Sequence, residues 1–176
     1  MLLKLKQIFT ELNYKILLHC SILMVLFFGI NFGIEFATDT YSTFGEADTW
    51  KWMLYENGRV INALIYYLFE LLSIPAGYIY KLSYLTALFF GIISCFLFAS
   101  ILLSFTKKEW LASLIAFLTI LNFYVIEYFL FIEKGLFLIA IFLCVVAFCF
   151  TLEYLKRKKI LYLAPALFCL LAAVGR

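Results

Sequence analysis

Long apolar runs separated by short polar breaks dominate this chain. Runs of about 20 residues, the length needed to cross a bilayer, occupy residues 16–34, 82–105, 110–126 and 136–154, and a shorter one occupies 160–176. The pattern predicts an all-α integral membrane protein with about five transmembrane helices. The largest break, residues 35–59, holds five of the eleven acidic residues beside Trp50, Trp52 and Tyr55, aromatic types that favour the water–lipid boundary. After it, Arg59, Asn62, Tyr66, Glu70 and Ser73 recur at steps of three and four, which puts them along one face of a helix. Asn57-Gly58 can start that helix and Pro75 can stop it. Fifteen residues reach only about 22 Å, against a hydrocarbon core of roughly 30 Å. The segment therefore reads as an interfacial amphipathic helix in the first outer loop; a tilted extra span is the alternative, and it would spoil the charge pattern described next.

Composition agrees with the runs. Hydrophobic residues make up 66% of the chain and charged residues 14%, whereas soluble domains stand near one half and one quarter, so a soluble globular domain is set aside. The net charge of +3 brings no basic arm or nucleic-acid motif with it, and no nucleic-acid partner is expected. The basic residues sit at alternate breaks instead. Lys4, Lys6 and Lys15 precede the first run, Lys107-Lys108 follow the second, and Lys156-Arg157-Lys158-Lys159 follow the fourth. By the positive-inside rule these lie in the cytoplasm, and the acidic first loop and the segment 127–134 lie outside. The expected location is the cell membrane, multi-pass, with a cytoplasmic N-terminus. The first run is too long for a signal-peptide core and lacks a clear cleavage site, so it reads as a retained span. No repeat and no Pro- or Ser-rich linker divides residues 1–176, which are expected to form a single polytopic domain. The last apolar run stops at Arg176 without a polar tail, from which the chain is expected to be the N-terminal part of a longer transmembrane domain.

Candidate chemistry gathers at the outer edge. Asp39 lies about five residues beyond the first span, where a carboxylate can take a proton from a sugar hydroxyl or bind a cation; Thr38, Thr40 and Tyr41 beside it can hydrogen-bond a polar ligand. An ordinary solvated loop carboxylate is the competing reading. Glu46 and Asp48 can serve as acidic groups of a site, or as the acidic start of a short loop helix. Arg59 can hold a lipid phosphate through its planar fork, or anchor to headgroups, or pair with Glu56. Glu127 ends the third span, where a charge is costly unless it meets water or a partner. His19 reads as packed or interfacial, with a proton relay as the alternative. Cys20, Cys95, Cys144, Cys149 and Cys169 all lie in apolar runs, without the spacing of a zinc site or a disulfide framework, and read as small packing residues. Phosphate-binding Gly-rich loops, zinc-protease and nucleophile-elbow motifs are absent from the sequence, which removes nucleotide-driven transport, zinc proteolysis and serine hydrolysis.

Three stretches carry a resemblance: Thr38-Asp39-Thr40-Tyr41, Glu56-Asn57-Gly58-Arg59 and Leu121-Asn122-Phe123-Tyr124-Val125-Ile126-Glu127. With one span followed by a long outer loop that bears an acidic residue and an amphipathic helix, they resemble the GT-C class of membrane glycosyltransferases, and within it the bacterial Gtr-type glucosyltransferases that modify surface polysaccharide. The likeness covers roughly residues 15–155 and rests mainly on topology. The resemblance implies a hexosyltransferase that moves a sugar, glucose in the Gtr type, from a polyprenyl-phosphate donor to a cell-surface glycan on the outer face. It implies Asp39 as the general base, Arg59 on the donor phosphate, and Tyr41, Asp48 and Glu127 about the substrate. It also implies no metal and no cofactor beyond the lipid-linked donor. Membrane lipid, donor and acceptor glycan are the expected partners. A transporter or flippase subunit for lipid-linked sugars, or a non-enzymatic assembly protein, is the runner-up; charge-poor spans with polar groups at the outer edge favour interfacial chemistry over passage.

Overall fold

A computed structural model of the chain describes residues 13–28, 49–55, 60–120 and 137–174. Every regular element among them is helical: α1 (Tyr14–Phe28), α2 (Thr49–Tyr55), α3 (Val60–Leu71), α4 (Ala76–Thr106), α5 (Glu109–Ile120), α6 (Phe137–Arg157), a single 3₁₀ turn (Ile160–Tyr162) and α7 (Leu163–Val174). Among the described residues two helices are long and apolar enough to cross a membrane, Tyr84–Thr106 within α4 and Leu138–Arg157 within α6; Tyr14–Phe27, Glu109–Ile120 and Ile160–Ala173 are shorter apolar helices. These two match the expected second and fourth spans. At 1.5 Å per residue α4 is about 46 Å long, because it begins directly after Pro75 rather than at residue 82. Pro75 caps it with extended backbone (φ −59°, ψ 142°), the geometry that proline supplies without giving up a helical N–H.

Helices α1, α4 and α5 pack against one another, α6 lies on α4, and α7 folds back on α6. Two-residue lysine turns make the reversals. Lys107 takes left-handed backbone (φ 55°) and its N–H reaches the Leu103 carbonyl at 3.0 Å. Lys158 does the same after α6, with φ 55° and a 2.7 Å bond to Tyr154. Helix α3 closes with a related motif. Ser73 (φ 51°) donates to Glu70 at 2.9 Å and Ile74 donates to Phe69 at 3.0 Å, the paired bonds of a Schellman cap.

The seam between α1, α4 and α5 mixes small side chains, Cys20, Cys95, Ala99, Ala112, Ser113 and Ala116, with larger buried ones such as Ile16, Met24 and Phe117. Large apolar side chains face outward along the same helices, among them Leu18, Ile22, Leu26, Phe89, Ile115 and Leu118. Hydroxyl groups are satisfied within their own helices: Ser94, Ser100, Ser113, Thr119 and Thr151 each donate to the carbonyl one turn earlier, an arrangement that needs no water. Cys20 and Cys95 are neighbouring buried thiols of α1 and α4, and the Cys95 thiol points at the Ser113 carbonyl at 3.9 Å. The packing role expected of cysteine holds for Cys20, Cys95 and Cys169, which are buried; Cys144 is exposed. Iodine, which enters lipid, should oxidise the neighbouring Cys20 and Cys95 to a disulfide within one chain. Intact mass then falls by about two hydrogens, since one disulfide forms from two thiols. The same mass change in a Cys20→Ala variant would place the oxidation elsewhere.

Candidate functional site

Asp39, Tyr41, Asp48, Arg59 and Glu127, the residues to which the sequence points, lie outside the described residues, as do Glu46 and the segment 127–134. What is described is the frame that carries them. The rings of Phe27 and Phe117 meet edge to face, with centroids 5.2 Å apart. Asn13 Nδ2, just before α1, donates to Glu109 Oε1 at the start of α5 at 3.0 Å, and Lys15 Nζ stands 4.0 Å from Glu109 Oε2. Contacts at both ends therefore run α1 and α5 in the same direction. The ends from which segments 29–48 and 121–136 depart, Phe28 and Ile120, lie together at one end of the bundle. Lys15, Lys107, Lys108 and Glu109 lie at the other end.

Helix α2 begins at Thr49, where the sequence reads as a short loop helix; Glu46 and Asp48, ahead of it, lie outside the described residues. Trp50 of α2 packs edge to face on Tyr67 of α3 at 5.2 Å, and Lys51 Nζ stands 5.5 Å from the Trp50 ring. The expected amphipathic helix is present as α3, but two details differ. It ends at Leu71, so Ser73 in its left-handed cap is not part of the polar stripe. The stripe also does not form an open polar face: Tyr66 is only 4% exposed, packed with Ala63 and Ile139 of α6, while Leu64, Tyr67, Leu68 and Leu71 are exposed. Glu70, near the helix end, remains exposed. Tyr66 thus faces α6, and the exposed residues described in α3 are Leu64, Tyr67, Leu68 and Leu71 together with Glu70.

A polar site that the sequence reading passed over lies at the end of α6. Glu153 is 6% exposed, and its carboxylate accepts a bond from Arg157 Nε at 3.0 Å while Lys156 Nζ stands 4.0 Å away. The guanidinium also lies over the Tyr162 ring, 5.9 Å from its centroid. The signal was available in Glu153-x-x-Lys156-Arg157, whose spacing brings both cations beside the carboxylate on one helix face. Removing one partner of a buried charge pair leaves the other desolvated and unpaired. Arg157→Leu should therefore lower the thermal stability of the detergent-solubilised protein by about 1.5–3 kcal/mol, the range for a hydrogen bond to a charged group. Adding Glu153→Gln should restore much of the loss. Equal stability of the single variant and the wild type would show that the pair holds nothing.

Among the described residues no three His, Cys, Asp or Glu side chains converge as metal ligands. His19 is half-buried, and its Nδ1 has no hydrogen-bond partner in the structure. No protein-family model, characterised protein or solved structure matches the chain.

Proposed function

We infer that this chain is an integral membrane helical bundle that transfers a sugar from a polyprenyl-phosphate donor to a surface glycan at the outer membrane face. Membrane residence is supported by the distribution of side chains: small residues such as Cys20, Ala99, Ala112 and Ala116 share the helix contacts with Ile16, Met24 and Phe117, and many large apolar side chains of the same helices remain exposed. In water such a surface would far exceed the apolar patches that soluble monomers expose. In lipid, where burial of apolar surface gives helices little drive to associate, small residues let backbones approach and this distribution is the expected one. The proposed five spans correspond to the apolar runs at residues 16–34, 82–105, 110–126, 136–154 and 160–176 of the sequence.

The observation that carries the functional reading is the shared direction of α1 and α5. It sends the segment bearing Asp39, Tyr41 and Asp48 and the segment bearing Glu127 out of the same end of the bundle, away from the lysine turn at Lys107-Lys108. On this reading that end faces outward. Asp39 takes the proton of the acceptor hydroxyl as the sugar–phosphate bond breaks, Arg59 holds the departing lipid phosphate, and the tyrosine-bearing inner side of α3 borders the cleft. The test uses membranes carrying the product of the complete reading frame, supplied with polyprenyl-phosphate donor bearing radiolabelled glucose. Label arriving covalently on surface polysaccharide is the expected result. Label that only crosses the bilayer, still on its lipid, would favour a flippase and contradict a transferase.

A further inference from the structure

The two lysine turns share more than their backbone. Phe105 before Lys107-Lys108 is 77% exposed, and Trp110 just after is also exposed. Leu155 is exposed before the second turn, and Ile160 and Leu161 after Lys158-Lys159 are 76% and 77% exposed. Each turn thus sets two lysines, the first in left-handed backbone, between large apolar side chains that are largely exposed. The nearby carboxylates are already engaged: Glu109 is held by Asn13 and Lys15, and Glu153 by Arg157 and Lys156. Among the described residues Lys107, Lys108, Lys158 and Lys159 have no carboxylate partner, and all four are exposed.

We propose that the turns at Lys107-Lys108 and Lys158-Lys159 are binding edges for anionic phospholipid, with the lysines on headgroup phosphates and the flanking side chains in the acyl region. Charge complementarity selects the occupant. A lone lysine pair is satisfied by any anion, but a pair flanked on both sides by bare apolar rings and branched chains fits only a ligand that presents phosphate and hydrocarbon together. Glu153 sharpens the second edge by holding Arg157 back against Tyr162, which leaves the lysines as the outward charges. Lysine suits the task, being a flexible point charge on an apolar stem that lies along the membrane boundary. The proposal rests on the membrane reading above and adds lipid selectivity to it.

Trp110 serves as the reporter for the first turn. With Trp50→Phe and Trp52→Phe in place, the full chain is reconstituted into phosphatidylcholine bilayers containing phosphatidylglycerol, and one lipid at a time is brominated. Brominated phosphatidylglycerol should quench Trp110 well beyond its mole fraction. A lysine near an anionic surface shifts preference by up to roughly fivefold, so Lys107→Gln/Lys108→Gln should lower that excess by about fivefold or more. Lys81→Gln, which removes one lysine charge at an exposed site near the other end of α4, should leave it unchanged. Ile160→Trp, with Trp110→Phe, reports on the second turn, and there Lys158→Gln/Lys159→Gln should have the same effect. Quenching that follows mole fraction in the wild type, or an excess untouched by the lysine changes, would overturn the proposal while leaving the membrane reading intact. Loss of the excess when inorganic phosphate is added at constant ionic strength would overturn it in favour of a simple anion site. Failure of the helical chain to insert into neutral bilayers would overturn both.

Discussion

Asp39→Asn should lower sugar transfer by about 10²–10⁴-fold, the usual worth of a general base, with the amount of inserted protein unchanged. Asparagine keeps the size and much of the hydrogen bonding of the side chain but cannot take the acceptor proton. A carboxylate that merely sits in a solvated loop predicts no such loss. Arg59→Ala separates the two roles of the site. If Arg59 holds the donor phosphate as proposed, the change removes a charge-assisted contact and should raise the donor KM more than it lowers kcat. Arg59→Lys should recover only part of the loss, because an ammonium lacks the planar fork. Transfer at the normal rate by the Asp39→Asn protein would remove Asp39 from the mechanism and make Asp48 or Glu127 the next base to test.

Ala116→Phe should be strongly destabilising. Ala116 is fully buried in the α1–α4–α5 cluster, where the helices approach over small side chains. A phenyl ring there forces the helices apart or into strained rotamers, at a cost of about 1–3 kcal/mol or more. It should also disturb the neighbouring Phe27–Phe117 contact, since aromatic pairs depend on their geometry. Leu118→Phe, two residues away on the outward side of α5, adds bulk where the account places lipid and should change stability by no more than about 0.5 kcal/mol. Thermal unfolding in detergent distinguishes the two. Equal effects at 116 and 118 would mean that the seam is not packed as described.

The elements that were legible in the sequence are those that length and charge alone determine. Residues 82–105 and 136–154 are apolar for a bilayer's thickness, and the structure gives Ala76–Thr106 and Phe137–Arg157. The lysine pairs after them mark the turns, although nothing in Lys-Lys announces left-handed backbone, which the turn imposes. The polar stripe of α3 was also visible, since its spacing at three and four is a property of the helix. Its orientation was not. In water a polar stripe faces solvent, whereas beside lipid the apolar side turns outward and a residue such as Tyr66 turns in. Periodicity is identical in the two cases, and only the contact with Ile139 distinguishes them. Asn13–Glu109 and Cys20–Cys95 were beyond reach for a different reason. They join residues far apart in sequence, and no local pattern pairs them. Asp39, Tyr41, Asp48, Arg59 and Glu127 rest on sequence and topology; their side-chain geometry lies outside the described residues.

The most direct test of the account is the side of the membrane on which each end of the bundle lies. With the native cysteines replaced by alanine, single probes Asp48→Cys, Lys107→Cys, Glu133→Cys and Lys156→Cys are exposed in intact cells to a thiol reagent that cannot cross the membrane. The account predicts labelling at 48 and 133 and protection at 107 and 156, with the protected pair becoming reactive once the cells are opened. Labelling at 107 or 156 in intact cells, or protection at 48, would contradict the placement of the candidate site on the outer face.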